Sequence, residues 1–404
     1  MTTSPTSGTR PDEVRRHNRA ALLRRLHVAG PCTRADLAAE LGLNRSTIKA
    51  LVDGLAGDGV VEEKVPAMRS GAGRPSLLVL PQPHAAVVLA VDIRVEQVAM
   101  AMVGIGGQIL ARCSWSLRPE TRAPREVFTK IVDNAELLIS ELDVMVAAVG
   151  VSVPGVVRRS DGLVHEAPNL HWSDVPLGEW LSRTWRNRDS VAWGAKAQAT
   201  PVHLGNDAEL GALAEHLRGS ARGATDAVYI TADVGVGGGV ISSGSSMRGT
   251  AGYVGEIGHM VVNPHGRPCY CGCTGCWETE VGERALSRAL GIPEDSPRGA
   301  VVAELRILAD RPAEVRARLG DFGEWLTVGL CNVVNLLCPQ LVVLGDLFTA
   351  LPASLVDSVA ATVRTRSMVS RALGGTSIVT SALRTDARLL GAAELAFEPV
   401  LAAY

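Results

Sequence analysis

The chain has 404 residues, 47% of them apolar and 20% charged, with a formal net charge of −2. That length exceeds one ordinary core and predicts two or three domains of a folded globular protein. The near-neutral balance excludes a uniformly basic or acidic molecule but leaves room for a local patch. No apolar run reaches the ~18 residues that a membrane span needs. The start, MTTSPTSGTRPDEVRRHNRA, lacks the apolar centre of a secretory signal. The expected location is the cytoplasm, where thiols stay reduced, with no membrane partner.

Residues 1–10, rich in Ser, Thr, Gly and Pro, read as a disordered tail. A DNA-binding module is expected over 11–81. PDEVRRHNRAALLRRLHVAG is a helix that turns Val14, Leu22 and Leu26 to one buried face. Pro31 and Cys32 stop it. Thr33, with Asp36 three residues on, has the spacing of a capping box for the short helix TRADLAAEL, which Gly42 ends. Asn44 then caps RSTIKALVDGLAGDG, where Ile48, Leu51, Val52 and Leu55 form an apolar stripe at helical spacing.

VVEEKV and SLLVL follow as strands around the loop PAMRSGAGRP. Two short helices with a tight glycine turn and a hairpin behind them describe a winged helix-turn-helix. A plain three-helix bundle with a solvated charged face is the alternative; the polar first turn and the basic, glycine-containing loop favour DNA. The candidate DNA contacts are Arg34, Arg45, Ser46, Thr47, Lys49, Arg69 and Arg74. The start of the third helix suits base edges in the major groove, and Arg74 suits a narrow minor groove. Such modules read half-sites as dimers, so a homodimer or homotetramer on operator DNA is expected.

From Ala85 the pattern changes to VVLAVDIRV, QVAMAMVG and QILARCSWSL, three strands in a meander, then an amphipathic helix and the strand VMVAAVGVSVPG. Near the middle, ATDAVYITADVGVGGGVISSG repeats strand, glycine-rich turn and strand. The expected fold is α/β, with two lobes of the actin-like, ribonuclease-H-like kind and a cleft between them. Lobe I is placed over 85–200 and lobe II over 201–384, with the C-terminal helix 385–404 completing lobe I.

Four of the eight cysteines fall within eight positions of HMVVNPHGRPCYCGCTGCWE: Cys269, Cys271, Cys273 and Cys276. Thiolates and imidazole suit a tetrahedral Zn²⁺ ion, and four ligands without a vacancy make a structural site. A site of four cysteines and a disulfide arrangement are the competing readings.

HLGNDAELGALAEH, GYVGEIGHM and CYCGCTGCWE, in this order and spacing, resemble the ROK family of sugar kinases and transcriptional repressors. The resemblance runs from about residue 12 to 390 and includes the DNA-binding module, which the repressor branch carries and the kinases lack. It implies zinc held by His259, Cys269, Cys271 and Cys276, with Cys273 outside the set. It also implies a sugar site made by Asn169, Asn206, Asp207, Glu256, His259 and Glu278. In kinase members the residue at Asp207 is the general base.

Against the kinase pattern, the phosphate turn D-x-G-G-T reads Asp92-Ile93-Arg94-Val95-Glu96 here. The second phosphate loop opens with Asp233-Val234, and Asp346 stands where kinases have a glycine beside the adenosine. Glu96, Asp233 and Asp346 are expected to repel the phosphates of ATP. The resulting expectation is a sugar-responsive transcriptional repressor without kinase activity. An ATP-dependent sugar kinase bearing a DNA-binding module, and a DNA-binding protein with a vestigial pocket, are the alternatives.

Overall fold

In the computed structural model the described residues are 11–66, 76–186, 200–249 and 254–404. Arg69, Arg74, the tail 1–10 and most of the loop between the two N-terminal strands lie outside them. Helices α1 (Pro11–Ala29), α2 (Arg34–Leu41) and α3 (Arg45–Gly57) alternate with strands β1 (Cys32–Thr33), β2 (Val61–Lys64) and β3 (Leu78–Pro81). The three strands form one antiparallel sheet in the order β1-β3-β2.

Local chemistry places these elements. The Thr33 hydroxyl accepts from the Asp36 amide while the Asp36 carboxylate accepts from the Thr33 amide, so α2 starts with two satisfied donors. Gly42 ends it in a left-handed conformation (φ 64°) that a side chain would strain. Asn44 accepts from the Thr47 amide and caps α3. Ile48, Leu51, Val52 and Leu55 are buried as the stripe requires, each contributing about 1.5–3 kcal/mol on burial. Val14 departs from expectation: it is 44% exposed, one turn short of where α1 meets the rest of the molecule.

The remaining chain builds two sheets of one topology. Lobe I contains β4 (Val87–Ile93), β5 (Gln97–Gly104), β6 (Gln108–Ser116), α4 (Pro124–Leu142) and β7 (Val146–Val153). A small antiparallel sheet follows, β8 (Val156–Arg158), β9 (Leu163–Ala167) and β10 (Trp172–Val175), then α5 (Leu177–Arg186) and β11 (Val202–Asn206), which pairs with β7, so the lobe I sheet runs past the expected boundary at 200. Helix α6 (Asp207–Arg218) leads to β12 (Ala227–Ala232), β13 (Val236–Ser242) and β14 (Ser245–Ser246). Lobe II is completed by α7 (Trp277–Val281), α8 (Glu283–Leu290), α9 (Arg298–Leu308), α10 (Pro312–Leu337), β15 (Leu341–Asp346), α11 (Ala353–Arg366), α12 (Met368–Ala372) and β16 (Ser377–Thr380). The last helix is α13 (Ala387–Ala402).

The strand orders are β6-β5-β4-β7-β11 and β14-β13-β12-β15-β16. In both, an antiparallel meander is extended by two parallel strands. The duplicated arrangement is the actin-like fold expected from the repeated strand–turn–strand pattern. β4 is buried on both faces, which explains its unbroken apolar run. Val87, Leu89 and Val91 meet α4, whereas Val88 and Ala90 share a core with α13 and with Leu22, Leu23 and Leu26 of α1. One continuous apolar core therefore joins the N-terminal module to lobe I.

Candidate functional site

The carboxyl ends of β4, β12 and β15 converge on the cleft between the lobes, the usual position for ligands in open α/β sheets. A pocket there is lined by Asn169, Asn206, Asp207, Glu256, His259 and Glu278 together with Tyr270 and the turn Gly235–Gly237. The six residues singled out in the sequence thus surround one cavity, and Tyr270 is a seventh that motif spacing does not reveal. A wider cleft of ≈ 440 Å³ adjoins it and shares Val95, Pro168 and Asn169 with it.

The side chains are set by their elements. Asn206 caps α6: its Oδ1 accepts from the Ala208 and Glu209 amides, and its Nδ2 donates to the Gly155 carbonyl. That fixes Asp207, the first residue of α6, at the pocket floor. Gly235 makes room for Glu278, whose Oε2 would lie 2.6 Å from a Cβ at that position. Burial pushes the Asp207 carboxyl up to about 6, against the opposing pull of Arg388.

Beside the pocket lies a lattice of buried charges. Arg388 of α13 places Nη1 3.0 Å from Asp207 Oδ2 and 3.1 Å from Asp233 Oδ2. Its Nη2 forms an ion pair with Asp346, and its Nε is 3.8 Å from Asp92. Arg298 bonds Asp233, reaches Asp346 at 3.2 Å and Glu283 at 3.3 Å. Arg94 donates to Asp92 at 2.6 Å. Burial raises the Asp233 carboxyl, but Arg298 and Arg388 outweigh it and hold the group below the ordinary carboxylate range.

This corrects one expectation. Asp233 and Asp346 do not stand as bare charges that would repel a phosphate; the protein supplies their cations itself. The backbone of Asp346 sits at φ 49°, ψ −120°, a region natural to glycine. Such a conformation costs about 1–3 kcal/mol and persists only where the surroundings hold it, here through Arg298 and Arg388. Sequence reasoning missed Arg298 and Arg388; the clustering of carboxylates at Glu96, Asp233 and Asp346, with the rule that buried charges are paired, could have called for a cation without naming which.

The cysteine-rich loop stands at the pocket rim. Single donor atoms of His259, Cys269, Cys271 and Cys276 all lie within 4.8 Å of one another. Cys271 Sγ is 3.5 Å from Cys276 Sγ, and Cys269 Sγ is 3.6 Å from His259 Nδ1. A tetrahedral ion with ~2.3 Å bonds needs ligand atoms roughly 3.8 Å apart. The cluster can therefore hold a metal ion, and all four cysteines of the loop are free thiols. Cys273 is exposed and outside the cluster. His259 faces two ways: its Nε2 lies 3.0 Å from the Tyr270 hydroxyl at the pocket.

On the N-terminal module, Arg45, Ser46 and Lys49 are exposed and Thr47 is half-buried at the start of α3. Arg34 is placed differently. It donates to both oxygens of Glu63 (2.7 and 2.6 Å) and to Asp53 (2.7 Å), which also takes Lys49 at 2.7 Å. Its guanidinium thereby ties α2 to α3 and β2. Among the described residues no helix is long and apolar enough to cross a membrane.

The ROK family model matches residues 88–398. The xylose repressor of Bacillus spizizenii is 27% identical over 392 residues, covering 96% of this chain and 97% of that protein. The crystal structure of a ROK family transcriptional regulator, a homologue of the E. coli Mlc protein, shares the fold with a TM-score of 0.71. It is 21% identical and covers 96% of this chain and 97% of its own. A ROK hexokinase from Thermus thermophilus aligns with a TM-score of 0.61 and 28% identity, covering 78% of this chain and 99% of its own. Fold, pocket and family match agree: this chain belongs to the ROK family.

Proposed function

We propose that the chain is a sugar-responsive transcriptional repressor. Its N-terminal module is read as a winged helix-turn-helix that binds operator DNA through the exposed start of α3. The pocket around Asp207 takes a sugar or sugar derivative. The observation that carries this reading is the lattice around Arg388: Asp233 and Asp346, beside the expected phosphate positions, are already paired with Arg298 and Arg388, while Asp207 and the other polyol-type groups line a pocket. The rival, an ATP-dependent sugar kinase with an added DNA module, needs loops free to position nucleotide phosphates, and here their side chains are engaged with one another. End-to-end similarity to a xylose repressor supports the regulator.

On this reading the metal is a structural Zn²⁺ held by His259, Cys269, Cys271 and Cys276, since three thiolates and an imidazole leave no vacancy for substrate. The ion would fix the loop that carries Tyr270 and Glu278. Sugar binding acts by population shift: it favours one lobe arrangement, which changes the placement of two DNA-binding modules in a homodimer or homotetramer.

The test is selection of duplexes from a random-sequence pool by the purified chain, followed by titration with D-xylose, D-glucose and N-acetyl-D-glucosamine. A two-fold symmetric motif and a sugar that changes its affinity at least tenfold are expected. Failure to enrich any sequence overturns the repressor reading.

A further inference from the structure

Two helices leave the sugar cleft side by side. α6 starts at Asp207 and α13 at Ala387, and their contacts advance together: Arg388 bonds Asp207, Gly391 lies on Leu210, and Glu394 meets Arg218. The helices are parallel, with both N-terminal ends at the cleft. They are also locked. A Cβ on Gly391 would stand 2.0 Å from the Leu210 carbonyl oxygen, and one on Gly150 of β7 1.8 Å from that of Ala392. Backbone thus meets backbone on both sides of α13, so a displacement of α13 is passed to its neighbours rather than absorbed.

The far end of this pair grips the DNA-binding module. His27 of α1 is 1% exposed and lies against Phe397, with ring centroids 4.4 Å apart. The Gly106 amide donates to His27 Nδ1 at 2.9 Å, so the ring proton sits on Nε2, 3.0 Å from Glu394 Oε2. Arg218 donates to the other Glu394 oxygen and to the Gly106 carbonyl (3.0 Å); its Nη2 lies 2.7 Å from His27 Nε2, donor facing donor, so Glu394 is the group that joins the two. Apolar contacts around this clasp tolerate small shifts. A buried carboxylate shared by an imidazole and a guanidinium has few satisfied geometries. From Asp207 to Arg218 the span is about 16 Å along α6 at ~1.5 Å per residue.

We propose that α6 and α13 form one lever between the sugar pocket and the DNA-binding module. Asp207–Arg388 is its input and the His27–Glu394–Arg218 clasp its output. A ligand hydroxyl that claims the Asp207 carboxylate removes one of the four carboxylates around Arg388. The cleft end of the lever shifts, and Glu394 and Arg218 carry α1 with it. His27, Arg218 and Glu394 are positioning residues that touch neither sugar nor DNA. The lever rests on the sugar-responsive reading but can fail separately from it.

The test is a double-mutant cycle that needs no identified sugar. A duplex selected by the wild-type chain is titrated with Asp207→Asn, His27→Gln and the double variant. Independent sites multiply their effects within about two-fold. The lever instead predicts that Asp207→Asn alone changes DNA affinity at least fivefold and changes it no further in the His27→Gln background. Hydrogen exchange of the α1 amides gives a DNA-free reading. It should change in Asp207→Asn and stay unchanged in Asn169→Ala, which alters the same pocket outside the lattice. If His27→Gln does not fold, Glu394→Gln replaces it. Multiplicative effects, or α1 exchange indifferent to Asp207→Asn, overturn the lever and leave the repressor reading intact. A chain that selects no DNA sinks that reading, and the exchange arm still decides the lever.

Discussion

Arg388 Nη1 stands 3.0 Å from Asp207 Oδ2, so the carboxylate that would deprotonate a sugar hydroxyl in a kinase already holds an internal cation. With Arg298 and Arg94 beside it, Arg388 ties up the carboxylates on the side of the cleft where a nucleotide would lie. Incubation with Mg-ATP and each binding sugar is expected to release no ADP in a coupled assay. Turnover near 1 s⁻¹, ordinary for an enzyme, would falsify the repressor-only reading.

Removing Arg388 should be costly in a specific way. Arg388→Met leaves Asp92, Asp207, Asp233 and Asp346 crowded at one buried place with only Arg94 and Arg298 to offset them. Loss of one partner of a buried ion pair costs about 3–5 kcal/mol. Thermal denaturation should show that loss near neutral pH and partial recovery in mild acid, where carboxylates take up protons. A variant as stable as the wild type at pH 7 would mean that the lattice is not buried as described.

Asp207 predicts the pH dependence of ligand binding. Its carboxyl is pushed up to about 6 by burial, and the ionised form is the better acceptor for a sugar hydroxyl. Affinity for a bound sugar should therefore fall as pH drops through 6 and stay flat over that range in Asp207→Asn. For folding the sign is opposite. The raised value contributes stability present below the ordinary 3.8 and lost as pH rises through 6. Calorimetric titration from pH 5 to 8 separates the two; a wild-type profile matching Asp207→Asn removes Asp207 from the site.

The metal centre predicts one zinc per chain by elemental analysis of the purified protein. Cys271→Ser and Cys276→Ser should lose it, and Cys273→Ser should retain it, because Cys273 lies outside the cluster. An emptied site in Cys273→Ser together with full occupancy in His259→Ala would reassign the ligands to four cysteines.

Arg45 and Arg34 should behave differently towards DNA. Arg45→Ala removes an exposed side chain from the first turn of α3 and is expected to weaken the selected duplex roughly tenfold, with preference lost at particular base pairs. Arg34→Ala breaks the ties to Glu63 and Asp53. Its effect should appear as a lower melting temperature of the module, with base preference unchanged. Equal loss of base preference in both variants would put Arg34 on the DNA.

Local grammar carried much of this architecture. The Thr33–Asp36 box, the Asn44 cap and the Ile48–Leu55 stripe need only neighbours a few residues away, and so were legible. β1 was not, because two residues are too few to show a period and its pairing with β3 is long-range. The pocket residues and the cysteine loop were legible because each sits in a compact motif. Arg388 was not, since its partner Asp207 lies 181 positions away. His27 was hidden for the same reason: it sits among arginines that suggest a solvated face, and its partner Glu394 is 367 positions distant.

If the proposed repressor reading holds, a cleft that carries its own guanidinium groups would also decouple the protein from cellular energy status. A kinase of this fold must wait for its nucleotide before sugar becomes product, so its output follows the adenylate pool. On the repressor reading, Arg298 and Arg388 take the place beside Asp233 and Asp346 that a second, nucleotide input would need. The receptor would register nutrient supply alone, equally in starved and in well-fuelled cells.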